Sequence, residues 1–187
     1  MFQSVLSFCA AISSFYCAKY YHLHNKNNSH VFQPLQDILH HDRNLCWQKY
    51  RLIPDTISYA YVIVWFFFCQ NKLIVFNTMC ISQILRSVLC CITQLPPCNP
   101  TFYQSNSQKN KNILNGFHFD LIYSGHASLM VICLYTCDFS NLLFYLLLTI
   151  AMLNSYLIIT TRCHYTIDVI LAWLIVPLVF DKTKHLF

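Results

Sequence analysis

Two short polar islands carry the side chains best suited to chemistry: Ser124-Gly125-His126 and His164-Tyr165-Thr166-Ile167-Asp168, each where an apolar run begins. Ionisable residues at the end of a membrane helix are costly to place and by default mark function. Two histidines and an aspartate form a minimal set for moving a phosphoryl group through a covalent phosphohistidine. His164 and Asp168 are four residues apart, a spacing that sets two side chains side by side on one helix face. Asp168 can then accept a hydrogen bond from one imidazole nitrogen and leave the other neutral and exposed, as a histidine nucleophile requires. A His/Asp pair that packs two helices or binds a metal is the alternative.

His126 follows Gly125, whose missing side chain allows a ligand close to the backbone. Free N–H groups at a helix N-terminus favour a phosphate, and Ser124 suits an N-cap that can also bond a phosphate oxygen. In this arrangement His126 is the general acid for a leaving alkoxide, then the general base for an incoming hydroxyl; a capped helix with a solvated histidine is the alternative. Arg162, two residues before His164, can clamp a phosphate or anchor at the interface. Arg86 calls for an anion, whether Asp120, Asp37 or a substrate phosphate. His40, His41 and Asp42 match no metal-site spacing and read as a solvated loop, so no metal and no cofactor is expected. A serine hydrolase is disfavoured: no GxSxG elbow is present, and Ser124 and His126 diverge on a helix.

These residues must be held by apolar elements. The 187 residues, 56% apolar and 10% charged, exclude an ordinary soluble domain and a disordered chain. There is no glutamate, and the net charge of +5 has no dense Lys/Arg patch behind it, so nucleic acid is not a partner. Most of the eleven cysteines lie in apolar runs as small hydrophobes, no CxxC pair exists, and a disulfide among Cys46, Cys98 and Cys163 remains open. Six apolar stretches approach the roughly 20 residues a spanning helix needs: 2–20, 53–69, 73–92, 121–137, 142–160 and 165–180, with Pro177 expected to kink the last. Asn77, Gln83, Arg86 and Asn154 within them point to helices packed on one another. Six spans place the long polar connections 21–52 and 93–120 and both polar islands on one membrane face. The expectation is an all-α, polytopic membrane protein, a single membrane domain over residues 1–187 with its catalytic motifs within 34–173.

At these residues the chain resembles the sphingomyelin synthase family, within the lipid phosphate phosphatase superfamily. Asp120-Leu121-Ile122-Tyr123-Ser124-Gly125-His126 is similar to the family's fourth-helix motif, and His164-Tyr165-Thr166-Ile167-Asp168-Val169 with Ala172-Trp173 to its sixth. Arg86 with Thr93-Gln94-Leu95-Pro96 resembles the third-helix motif, and Pro34-Leu35-Gln36-Asp37 the first-loop motif. The resemblance implies a six-transmembrane-helix bundle. It implies a transferase that moves a phosphocholine-type, phosphoethanolamine or phosphoinositol group from a glycerophospholipid to ceramide or diacylglycerol. Membrane lipids are then its partners. His164 is the nucleophile, Asp168 its orienting partner and His126 the proton donor and acceptor; Asp120, Ser124, Gly125, Arg86 and Arg162 fall to the substrate phosphate.

Some features depart from that pattern. The Cys-Gly that usually precedes the aspartate is His118-Phe119, and Thr-Arg-x-His-Tyr-Thr-Ile-Asp also resembles plant-type cholinephosphotransferases, whose acceptor is diacylglycerol. A lipid phosphate phosphatase using water is the first alternative, but no Arg-Pro motif is present, Tyr123 precedes Ser124, and Ile158 stands six before His164. A non-enzymatic lipid-binding membrane protein is the second. The family places its active face in the lumen or outside the cell, in the endomembranes (Golgi or endoplasmic reticulum) or the plasma membrane. The sequon Asn27-Asn28-Ser29 lies on that face and is usable only if the face is lumenal, whereas Lys26, Arg43, Lys49, Arg51, Lys109, Lys111 and Arg162 on it would make it cytosolic.

Overall fold

The computed structural model describes residues 5, 9, 12, 13, 16, 35–40, 50, 52–69, 71–93, 95, 98, 122–136 and 139–186. Five helices stand among them: α1 (Leu52–Phe68), α2 (Lys72–Ile92), α3 (Gly125–Thr136), α4 (Asn141–Thr160) and α5 (Thr166–Leu186). No strand occurs among the described residues, so the all-helical expectation holds. Of the first expected span, Val5, Cys9, Ile12, Ser13 and Tyr16 are described, and they are helical. α2 and α4 are long and apolar enough to cross a membrane; α1 and α3 are apolar but shorter. α5 matches α2 in length and carries Asp168 near its start and Asp181, Lys182 and Lys184 near its end.

The helix boundaries follow local chemistry. α1 tolerates Pro54 because a first-turn N–H needs no intrahelical acceptor. α2 begins where the Asn71 side chain accepts the Ile74 N–H at 3.3 Å. α3 starts at Gly125, four residues later than the apolar run implies, because Tyr123 holds a left-handed backbone (φ 67°). α4 ends in a Schellman motif: the Cys163 N–H donates to the Ile158 carbonyl and the Arg162 N–H to that of Ile159. The left-handed position of that motif is Arg162, φ 56°, where glycine is usual. α5 runs unbroken through Pro177 and continues past residue 180 to Leu186.

α3 is the central helix and packs most extensively on α1 and α5. Ala127, Met130 and Val131 are fully buried, meeting Ala151 and Ile158 of α4 and Ala172 and Val176 of α5 in one core. On α4 the inward residues Leu147, Ala151, Asn154 and Ile158 recur every three to four positions. Polar groups tie the interior. Asn154 Nδ2 donates to Ser58 Oγ at 3.0 Å and to the Pro54 carbonyl at 3.2 Å. The Tyr61 hydroxyl donates to the Leu147 carbonyl, and Trp173 Nε1 to Ser155 Oγ at 3.0 Å. The outside is apolar: Leu142 is 84% exposed, Phe67 75% and Leu178 68%. Buried asparagines under an exposed apolar coat invert the distribution of a soluble domain.

Candidate active site

The two polar islands meet at one end of the bundle, at the N-termini of α3 and α5. They are joined directly, since the Ser124 N–H donates to the Asp168 carbonyl at 3.0 Å. Ser124 is fully buried, and its Oγ accepts the Ala127 N–H at 3.3 Å, the N-cap role read from the sequence. Its N–H and Oγ are thereby engaged within the fold.

His126 and His164 lie edge to face, ring centroids 6.2 Å apart. His164 is buried, and its Nδ1 stands 3.5 Å from Asp168 Oδ2, the two four residues apart as the helical spacing implies. Asp168 Oδ2 also accepts the Tyr165 N–H at 2.9 Å, so the carboxylate is fixed by backbone as well as by the ring. The carboxylate thus holds the His164 ring by its Nδ1 edge. His126 Nε2 stands 3.2 Å from Asp55 Oδ1, both side chains 28% exposed. Each imidazole therefore has its own carboxylate.

Asp55 escapes a motif-based reading. Its signal is its place, an acid in the first turn of the otherwise apolar α1, where an acid is expensive and so suspect.

Arg86, near the C-terminal end of α2, completes the ring. A Cβ built on Gly125 would lie 2.7 Å from Arg86 Nη1 and 3.1 Å from Cζ. Glycine at this position lets a guanidinium lie against the first turn of α3, at the positive end of the helix dipole. Fork-shaped donors beside a helix N-terminus suit a phosphate.

Arg162 sits in the α4–α5 turn, where its backbone ends α4 and its charge is felt at His40 and Cys98. Asp120 and Leu121, the first two residues of the motif 120–126, lie outside the described residues, as do His41, Asp42, Cys46 and the sequon at 27–29. Cys98 and Cys163 are both thiols.

Segment 35–40 reaches the second island from elsewhere in the chain. Asp37 accepts the Thr166 N–H (2.7 Å) and hydroxyl, and the Leu39 N–H at 3.0 Å, so its carboxylate serves α5 rather than Arg86. Burial alone would raise the Asp37 pKa; the Thr166 hydroxyl, the two N–H donors and nearby His40 outweigh it and hold it below the usual carboxylate value. His40 Nε2 lies 3.2 Å from the His164 carbonyl, so it belongs to this site and not to a solvated loop. Its pKa is lowered by burial, with Asp37 opposing. Among the described residues no cluster of three metal-ligating side chains occurs.

A cavity of about 580 Å³ opens beside His126, between α1, α2 and α3. Phe76, Met79, Leu129 and Ile132 give it an apolar wall, and Arg86 and His126 a polar end. Its volume is that of a site for a small organic ligand.

Residues 119–186 match the model of the PAP2 superfamily C-terminal domain. The match takes in His126, His164 and Asp168, all of α3–α5, and leaves Asp37, Asp55 and Arg86 outside. It supports the lipid phosphate phosphatase superfamily, and with it phosphatase or phosphotransferase chemistry on lipid phosphates. No curated protein matches the chain.

Proposed function

We propose that this chain is a multi-pass membrane phosphotransferase. It would move the phospho-head group of a glycerophospholipid to ceramide or diacylglycerol. The observation that carries this reading is the pair of imidazoles 6.2 Å apart, each beside its own carboxylate, with Arg86 against Gly125.

In the first half-reaction His164 Nε2 attacks phosphorus, a P–N bond forms, and the P–O bond to diacylglycerol breaks. His126 gives its proton to the departing alkoxide. In the second, the acceptor hydroxyl attacks phosphorus, His126 takes the hydroxyl proton, and the P–N bond breaks to restore His164. Asp168 orients His164 and stabilises the cationic ring; Asp55 fixes the ring of His126. Arg86 and the first turn of α3 hold the phosphate oxygens. The apolar cavity beside His126 suits the chain of a lipid acceptor better than bulk water.

The test is head-group exchange in mixed micelles, wild type beside His164→Ala, with labelled phosphatidylcholine, phosphatidylethanolamine or phosphatidylinositol as donor and ceramide or diacylglycerol as acceptor. Label in a new lipid, absent with the variant, supports transfer. Release of water-soluble phosphate or phospho-head group alone makes water the acceptor and the protein a phosphatase.

A further inference from the structure

α5 carries Asp168 in its first turn and begins two residues after His164, so the start of this helix sets the nucleophile's geometry. It lacks half of a usual cap. In a capping box the N-cap side chain accepts an N–H of the first turn, while the side chain three residues later accepts the N-cap N–H. Asp168 performs the second task by accepting the Tyr165 N–H. Tyr165 cannot perform the first, because its hydroxyl lies too far from its own backbone to cap.

The missing acceptor arrives from far away in sequence. Asp37, 129 residues earlier, takes the Thr166 N–H and hydroxyl. The neighbours of Asp37 hold the same strip: the Leu35 N–H donates to the Tyr165 hydroxyl at 3.2 Å, His40 Nε2 meets the His164 carbonyl, and the His40 and Tyr165 rings lie 5.5 Å apart. Residues 164–166 are thus gripped by this segment at backbone, hydroxyl and ring. Underneath, Tyr165 packs on Cys98, which is 2% exposed.

We propose that Asp37 is a positioning residue for His164, the cap of α5 supplied from a distant segment of the same chain, and that segment 35–40 is a latch closed over the nucleophile strip. The positioning role rests on the phosphotransfer reading above; the latch itself does not. Asp37 touches no reacting atom. It keeps the first turn of α5 wound, so that Asp168 stays against His164.

The experiment uses the full chain in detergent micelles, with Asp37→Ala and the milder Asp37→Asn, which keeps one acceptor oxygen. Two quantities are read: head-group exchange, as kcat and KM, and the rate of maleimide reaction at Cys98, assigned by comparison with a Cys98→Ala background. Asp37→Ala should lower kcat by about tenfold or more with KM within about twofold, since loss of orientation acts on the chemical step. Cys98 labelling should rise several-fold, and Asp37→Asn should fall between wild type and alanine in both. Unchanged Cys98 labelling in Asp37→Ala would overturn the latch whatever the activity. A kcat equal to wild type with raised labelling would overturn the positioning role. Raised labelling in a protein whose wild type exchanges no head group would support the latch and sink the phosphotransfer reading instead.

Discussion

Gly125→Ala separates the anion clamp from the fold. An added Cβ would meet Arg86 Nη1 at 2.7 Å, and an ordinary contact needs at least 3.4 Å, so the guanidinium must retreat by about 0.7 Å. The obstructed atom is the tip of a long, flexible side chain, so the retreat is cheap in stability. Alanine also gains up to about 1 kcal/mol of helix propensity over glycine. The net change in stability should stay within about 1 kcal/mol. Catalysis is less forgiving, because a misplacement of about 1 Å in a positioning group can cost on the order of 100-fold. Head-group exchange should therefore fall by about 10- to 100-fold, which is about 1.4–2.7 kcal/mol of transition-state stabilisation. The assay is exchange in mixed micelles beside thermal unfolding in the same detergent, run as a double-mutant cycle with Arg86→Ala. If glycine acts by admitting the guanidinium, Gly125→Ala should do nothing further once Arg86 is gone. Full activity in Gly125→Ala, or a loss that simply adds to that of Arg86→Ala, would refute the argument.

His164→Ala should abolish both the acid-labile phosphoenzyme and exchange, while Asp168→Asn should slow turnover and leave lipid binding; phosphoenzyme in His164→Ala, detected by radiolabel after rapid quench, would remove the mechanism. Asn154→Ala should destabilise the bundle by about 1–2 kcal/mol, because it breaks the bonds to Ser58 and Pro54 that join α4 to α1; an unchanged melting temperature would mean those bonds contribute nothing. Arg162→Gly relieves a left-handed backbone worth roughly 1 kcal/mol, so a stable protein with lost exchange would assign the Arg162 charge to the substrate, and unchanged exchange would leave it a helix terminator. The latch should weaken in acid in two stages. His40, faced by Asp37 and Arg162, is held by burial below the ordinary histidine value of 6.5, so its contribution is complete above 6.5 and is lost as pH falls through its folded-state value. Asp37, held below 3.8, contributes fully above 3.8 and is lost only at lower pH. Melting temperature against pH, wild type minus His40→Gln, should therefore narrow below pH 6.5; a constant difference down to pH 4 would contradict it.

The pairing of His164 with Asp168 was legible because it is local: a spacing of four is a statement about one helix face. The meeting of His126 with His164 was legible by parity, since both open helices that run the same way through the bundle. Contacts between distant segments left no local trace. Asp37 reaches Thr166 across 129 residues, and neither sequence neighbourhood carries the partner's signature. Asp55 was passed over because it stands at the edge of an apolar run, where a charge reads as a boundary marker. The late start of α3 was not legible at all. Hydropathy carries the run back to residue 121, and nothing in the residue type of Tyr123 announces a left-handed backbone.

The two non-glycine left-handed residues among those described share a purpose that links fold to chemistry. Tyr123 directly precedes Ser124-Gly125-His126, and Arg162 stands two residues before His164. Strained backbone of this kind persists only where surrounding structure over-determines it, and it gathers at functional sites. Tyr123 is fully buried and its hydroxyl is bonded to Ser82 of α2, so the strain is held by the helix that also brings Arg86. Arg162 is held by the Schellman bonds that end α4. Arg162 turns the chain from α4 into α5, and Tyr123 sets the point at which α3 begins. The Ser124–Asp168 backbone bond then joins the two turns into one body. A pair of imidazoles can be kept in register at the end of a bundle this apolar because the backbone beneath each of them has little freedom left.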